Sequence, residues 1–167
     1  MNAEQPERRR LVTWEDPLIG ASAAPTMSGL DYLRAIIVGA IPPPPIASLL
    51  GMDLIEVEAG RAVFGITPAE FHYNPIGVVH GGVACTLFDS ALGCAVHSML
   101  PAGAGYTTLE VKVNFLRPLT SATGPVRCEA KAIYVGGRTA TAEARLADAA
   151  GKLYGHATTT CMVFRPE

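Results

Sequence analysis

Between residues 80 and 99 the apolar residues keep the spacing of a helix. Val83, Ala84, Leu87, Phe88, Ala91, Leu92, Ala95, Val96 and Met99 fall on an i, i+3/i+4 stripe. Few charges interrupt this run, so the helix is expected to be wrapped by protein on most sides. Beyond it the period changes to two. Leu109, Val111, Val113 and Phe115 alternate with Glu110, Lys112 and Asn114, which predicts a half-buried strand ended by Pro118. Val126, Cys128, Ala130 and Ala132 alternate with Arg127, Glu129 and Lys131, and Gly136-Gly137 then signals a hairpin. Ala140, Ala142, Ala144 and Leu146 alternate with Thr139, Thr141, Glu143 and Arg145. A turn around Asp148 to Gly151 leads to a last strand over about Leu153 to Phe164.

Ahead of the helix, residues 52 to 58 and 61 to 67 read as two strands joined at Ala59-Gly60. An irregular stretch with Pro68, Pro75 and Gly77 follows. Further upstream Ser28 is placed to cap a short helix with Leu30, Leu33, Ile36 and Ile37 on one face. Pro42 to Pro45 stop that helix and favour an extended connector. Residues 1 to 26 show no period and read as a loose or draped extension, partly disordered. The order is two strands, one long helix and four strands. It predicts an α+β domain at 47–167, an antiparallel sheet curled around one central helix, with an N-terminal helical extension at 1–46. One helix covers one face of a sheet, so the other face and the edges need partners or loops. Oligomerisation is therefore expected.

Composition narrows the functional classes. The chain has 167 residues, a net charge of -2 and a pI near 6.1. It carries no basic footprint for nucleic acid and no polybasic patch for a membrane. No apolar run is long enough to span a bilayer, and Arg8, Arg9 and Arg10 are not followed by the apolar segment of a signal peptide. Cys85, Cys94, Cys128 and Cys161 lack metal spacing and sit in apolar patterns, as buried free thiols do. A cytoplasmic location is expected.

The chemistry concentrates in "NPIGVVHGGVACTLFD", residues 74 to 89. Gly81 and Gly82 stand where loop becomes helix. Unpaired N–H groups and a positive partial charge there suit an oxyanion or a polarised carbonyl, although Gly-Gly also merely permits a turn. Asp89 is a carboxylate on an otherwise apolar helix, which is costly unless paired. It is either catalytic or a structural Asp satisfied by Ser90, Thr86 or a strand residue. Gly81 and Asp89 are eight residues apart, about 12 Å along a helix. One substrate carbonyl cannot meet both in one chain, so either they are unrelated or a second subunit supplies one of them. Asn74 orients a water or an acyl group, or forms an Asx turn. His80 is an acid or base, or a backbone-bonded residue at the helix start. His72, His97 and His156 have no partners at metal spacing and read as incidental.

Asn74, Gly77, His80, Gly81, Gly82 and Asp89 together resemble the N-x-x-G-x-x-H-G-G-x(6)-D signature of the PaaI-like acyl-CoA thioesterases, a hotdog-fold family. "LEVKVNFLRP" at 109–118 and "YVGGRTATAEARL" at 134–146 are similar to its later strands, and the first ~45 residues lie outside the resemblance. The resemblance implies a hotdog fold and hydrolysis of an acyl-CoA thioester. It implies Asp89 as general base or nucleophile, Gly81 as the N–H that polarises the carbonyl, and Asn74 as the residue positioning water or carbonyl. It also implies Thr108 as a hydroxyl near the water, and Gly136, Gly137, Arg138 and Thr139 as the coenzyme A contact. No cofactor is implied beyond coenzyme A as part of the substrate, and no metal. Such sites form across a homodimer, and dimers often pair into tetramers. Two alternatives stay open: a hotdog dehydratase or hydratase using His80, and a non-catalytic acyl-CoA-binding module.

Overall fold

The computed structural model describes residues 7–165. Residues 1–6, part of the extension expected to be loose, and residues 166–167 lie outside the described residues. The domain is one six-stranded antiparallel sheet of order β1-β2-β4-β5-β6-β3. Its strands are β1 (Met52–Glu58), β2 (Arg61–Ile66), β3 (Gly105–Phe115), β4 (Val126–Val135), β5 (Thr139–Asp148) and β6 (Leu153–Phe164). The sheet curls around the long helix α4 (Gly81–His97), as the order of periods predicts. Leu87, Phe88, Ala91, Leu92, Ala95 and Val96 of α4 are fully buried. They meet Cys128, Ala130, Ala142, Ala144 and Ala157 from the sheet, small residues that let the helix sit close. The opposite sheet face carries Arg61 between Glu56 and Glu129, and Arg127 on Glu56.

Three expectations need correction. Residues 17–23, which show no period, form α1 (Pro17–Ala23), because Asp16 caps it and a proline opens it. Pro45 does not prolong an extended connector. It is the first residue of α3 (Pro45–Leu50), where a missing N–H costs nothing. The predicted helix capped by Ser28 is present as α2 (Gly29–Ile37), with the Asp31 N–H bonded to Ser28 Oγ.

The third correction concerns β3 and α4. The apolar side of β3 is only partly covered: Val111 and Val113 are half-buried, but Leu109 and Phe115 are 54% and 58% exposed. The reason is topology. β3 is an edge strand, and a bulge at Leu109 shifts its register against β6. Likewise α4 is not wrapped all round, since Gly82 and Asp89 on its outer side are exposed. No helix among the described residues is long and apolar enough to cross a membrane.

Candidate active site

The segment entering α4 folds through a tight turn. Gly77 N–H donates to Asn74 O at 3.1 Å, Pro75 supplies the second position, and Gly77 sits at φ +82°, which only glycine adopts readily. Asn74 Oδ1 accepts from the N–H groups of Ile76 (3.0 Å) and Val78 (3.3 Å), so the Asx turn is real. The amide Nδ2 of Asn74 has no partner among the described residues. His72, read as incidental, is a clamp under this turn. Its Nδ1 accepts from Ala69 N–H at 3.0 Å and its Nε2 donates to Leu50 O at 2.8 Å.

His80 is the N-cap of α4. Its Nδ1 accepts from Gly82 N–H at 2.9 Å, and its carbonyl accepts from Val83 N–H at 3.0 Å. Of the first-turn donors, Gly81 N–H is thereby left without an acceptor among the described residues. A side chain at Gly81 would come within 3.2 Å of the Phe115 ring, so the approach to this N–H is flanked by an exposed aromatic.

Asp89 lies on the bare side of α4. Thr108 Oγ1 donates to Asp89 Oδ1 at 2.9 Å, which realises the strand partner among the alternatives. None of the ion pairs among the described residues includes Asp89. Its charge is felt by neighbours: burial, and then Asp89, pushes the Cys94 thiol up to about 12. The Tyr106 phenol is raised well above its ordinary value, chiefly by burial, with Asp89 a lesser cause. Burial also raises Cys128 and Cys161, so these three thiols are neutral near pH 7 and poor nucleophiles.

The sheet register places the β4–β5 hairpin at the same end as Thr108. Thr108 pairs with Cys161, Cys161 with Ala140, and Ala140 with Val135. Gly136, Gly137, Arg138 and Thr139 therefore cap the strands two places from Thr108. Gly136 N–H donates to Thr139 O at 2.8 Å, and the exposed Arg138 side chain has no partner among the described residues.

One chain thus brings Thr108 to Asp89, and Asn74, His80 and Gly81 to each other. It does not join the two groups: α4 is continuous from Gly81 past Asp89, about 12 Å of rise. Two further residues escaped sequence reasoning. Tyr106 stands on Gly93, one turn beyond Asp89, where an added Cβ would lie 2.3 Å from the phenol oxygen. A glycine inside an apolar helix costs about 1 kcal/mol, and that penalty was the available signal for a close neighbour.

A six-stranded antiparallel sheet curled around one long helix is the architecture of a hotdog domain. The family model of the thioesterase superfamily matches residues 76–154. A candidate esterase of Halobacterium salinarum is 33% identical over 124 residues, covering 70% of this chain and 80% of that protein. The 1,4-dihydroxy-2-naphthoyl-CoA hydrolase of Listeria monocytogenes is 29% identical over 104 residues, covering 62% and 83%. Among solved structures, a candidate thioesterase of Ralstonia eutropha, described as a phenylacetic acid degradation-related protein, aligns with a TM-score of 0.71 at 30% identity, over 78% of this chain and 98% of that one. The chain belongs to the thioesterase superfamily, in its PaaI-like hotdog group, and the reaction class is thioester hydrolysis.

Proposed function

We propose that this protein hydrolyses an acyl-CoA thioester to the free acid and coenzyme A, in a site built by two copies of the chain. The observation that carries the reading is the exposed Asp89, fixed by Thr108 on an uncovered face of α4 beside an uncovered sheet edge. A carboxylate there is out of reach of its own Gly81. In an isologous dimer with antiparallel α4 helices and facing β3 edges, it meets the partner subunit's Gly81 and the partner subunit's Asn74. Burial of Leu109 and Phe115 in that interface gives the exposed side of β3 a use.

The chemistry follows. The N–H of the partner subunit's Gly81 and the Nδ2 of the partner subunit's Asn74 polarise the thioester carbonyl as it becomes tetrahedral. Asp89 accepts a proton from water as the water oxygen bonds to carbon. Collapse breaks the C–S bond and releases coenzyme A as a thiolate, a good leaving group. Attack by Asp89 itself, through an anhydride that water then opens, uses the same geometry. Thr108 occupies Oδ1 and leaves Oδ2 to act. Arg138, with Gly136, Gly137 and Thr139, is placed to hold the coenzyme A moiety. The dimer is able to pair again into a tetramer, and its neutral buried thiols suit a cytoplasmic compartment.

His80 Nδ1 is held at the helix cap, and hydration of enoyl-CoA by the wild type would favour the dehydratase or hydratase reading. The test is release of free thiol from acyl-CoA by the full chain and by Asp89→Asn. Loss of at least about 100-fold in kcat with an unchanged fold is expected. Full activity in folded Asp89→Ala refutes the mechanism. Acyl-CoA binding without thiol release by wild type refutes the enzyme and leaves the binding module.

A further inference from the structure

The first turns of α4 do not close fully on the sheet. Gly81, Ala84 and Phe88 follow one another at i, i+3 and i+7, so they share one side of the helix. On that side lies a cavity of about 320 Å³, between α4, the loop after β3 and the facing ends of β5 and β6. Half-buried Gly81 and exposed Phe115 stand at its edge. Ala84, Leu119 and Tyr154 form its walls, and the fully buried Phe88 and Leu146 its floor.

Backbone bonds fix these walls. Val79 N–H donates to Leu119 O at 2.9 Å, and the N–H groups of Leu116 and Arg117 donate to Tyr154 O at 2.9 and 3.2 Å. The cavity is thus preformed, at the lower end of the size range of small-molecule sites. Its polar side chains are engaged. His80 Nδ1 accepts from Gly82 N–H, Arg117 Nη1 donates to Leu153 O, and the Tyr154 hydroxyl donates to Asp148 Oδ2 at 3.3 Å. What is left to meet a ligand is mainly apolar surface. Protein interiors are close-packed, so an apolar hollow beside the Gly81 N–H calls for an occupant.

We infer that this cavity is the acyl subsite, and that Ala84 and Leu119 set the size of the acyl group it accepts. The inference rests on the thioesterase reading for the position of the carbonyl. The hairpin placed to hold coenzyme A lies at the Thr108 and Asp89 end of a chain, about 12 Å along α4 from that chain's own Gly81. Coenzyme A then reaches the thioester along the subunit that supplies Asp89. The acyl group leaves it toward the subunit that supplies Gly81, where the cavity opens. The ligand class is a compact apolar acyl group, a short chain or a single ring. The volume is about ten times the ~30 Å³ a water occupies in the liquid, so roughly ten non-hydrogen atoms fill it. A longer chain runs into Phe88 and Leu146.

The experiment separates binding from turnover. The probe is S-phenacyl-CoA, a thioether that keeps the carbonyl but has no thioester bond to hydrolyse. Calorimetry on the full chain should show it binding at least about tenfold more tightly than coenzyme A itself. Ala84→Leu and Leu119→Phe fill the cavity without touching Asp89, Thr108, Gly81 or Asn74. Each is compared with wild type by circular dichroism and size exclusion. Each should remove most of the advantage of the phenacyl group and leave coenzyme A binding within about twofold. With acyl-CoA substrates, kcat/KM for benzoyl-CoA and hexanoyl-CoA should fall about tenfold or more in both variants, while that for acetyl-CoA stays within about twofold. One arm needs no variant: wild type should turn over dodecanoyl-CoA less efficiently than hexanoyl-CoA. A wild-type preference for dodecanoyl-CoA, no phenacyl advantage in wild type, or a full advantage in both folded variants overturns the inference. Loss of the advantage in the variants, with no thiol released from any acyl-CoA by wild type, keeps the subsite and overturns the thioesterase reading.

Discussion

Replacing Gly29 by alanine tests how the extension is held. The new Cβ would lie 1.8 Å from the His97 carbonyl oxygen and 2.6 Å from its carbon, and both are backbone atoms at the end of α4 that cannot swing aside. Relief requires α2 to lift away. Lifting breaks the 3.0 Å bond from Gly29 N–H to Leu100 O and uncovers Leu33, which is 3% exposed. Overpacking costs roughly 1–3 kcal/mol, the lost hydrogen bond about 1, and the gain from alanine in a helix returns up to about 1. The expected net loss is about 1–3 kcal/mol, read as a lower urea midpoint by circular dichroism. Cleavage by a dilute protease within residues 1–46 should also become faster, because the extension opens more often. A variant with the wild-type midpoint and wild-type protease resistance would show that α2 is not docked against α4 as described.

Three other outcomes follow from the geometry. Thr108→Val removes the hydroxyl that fixes Asp89 Oδ1, so kcat should drop by about tenfold or more while KM changes little, and an unchanged kcat would free Thr108 from this role. His80→Ala should lose about 0.5–2 kcal/mol of stability in urea melts as the cap on Gly82 N–H disappears, yet retain thioester hydrolysis, whereas abolished turnover in the folded variant would favour His80 chemistry. Burial holds His97 below the ordinary imidazole value. The unfolded chain then binds a proton that the folded chain resists, so stability is full above about pH 6.5 and falls as pH drops through the folded value. Tyr32, Tyr106 and Cys94 around the ring stay neutral there. Melts between pH 8 and 5 should show a shallower acid decline in His97→Phe, and parallel curves would contradict the assignment.

The strands and α4 were legible because each buries one face, and burial writes a period into the chain. Ala140, Ala142, Ala144 and Leu146 are all buried, as their alternation requires. The exposure of Asp89 was not legible, because apolar neighbours such as Leu87 and Phe88 describe the inner side of α4 only. Leu109 and Phe115 misled for a related reason: an apolar residue on an edge strand looks the same in sequence whether its cover comes from its own chain or from another. α1 and α3 left no periodic trace since each is under three turns long and is set by a proline start. Within the candidate site, the Asx turn at Asn74 and the cap at His80 were open alternatives, and the structure realises both. The cavity beside Gly81 was invisible, because its walls come from segments far apart in the chain, joined at Val79 and Leu119.

The central claim is that Asp89 works with Gly81 and Asn74 of another subunit. Asp89→Ala removes the carboxylate, and Asn74→Asp keeps the turn acceptor Oδ1 but removes the Nδ2 donor. Each variant alone should be inactive in thiol release from acyl-CoA. The two are mixed, dissociated under mild denaturant and allowed to reassociate. Half of the dimers are then mixed, and each mixed dimer has one site with both wild-type residues, so about a quarter of wild-type activity should return. Recovery near that level supports a shared site. No recovery, with mixed dimers shown to form, would contradict it and place the whole site within one chain.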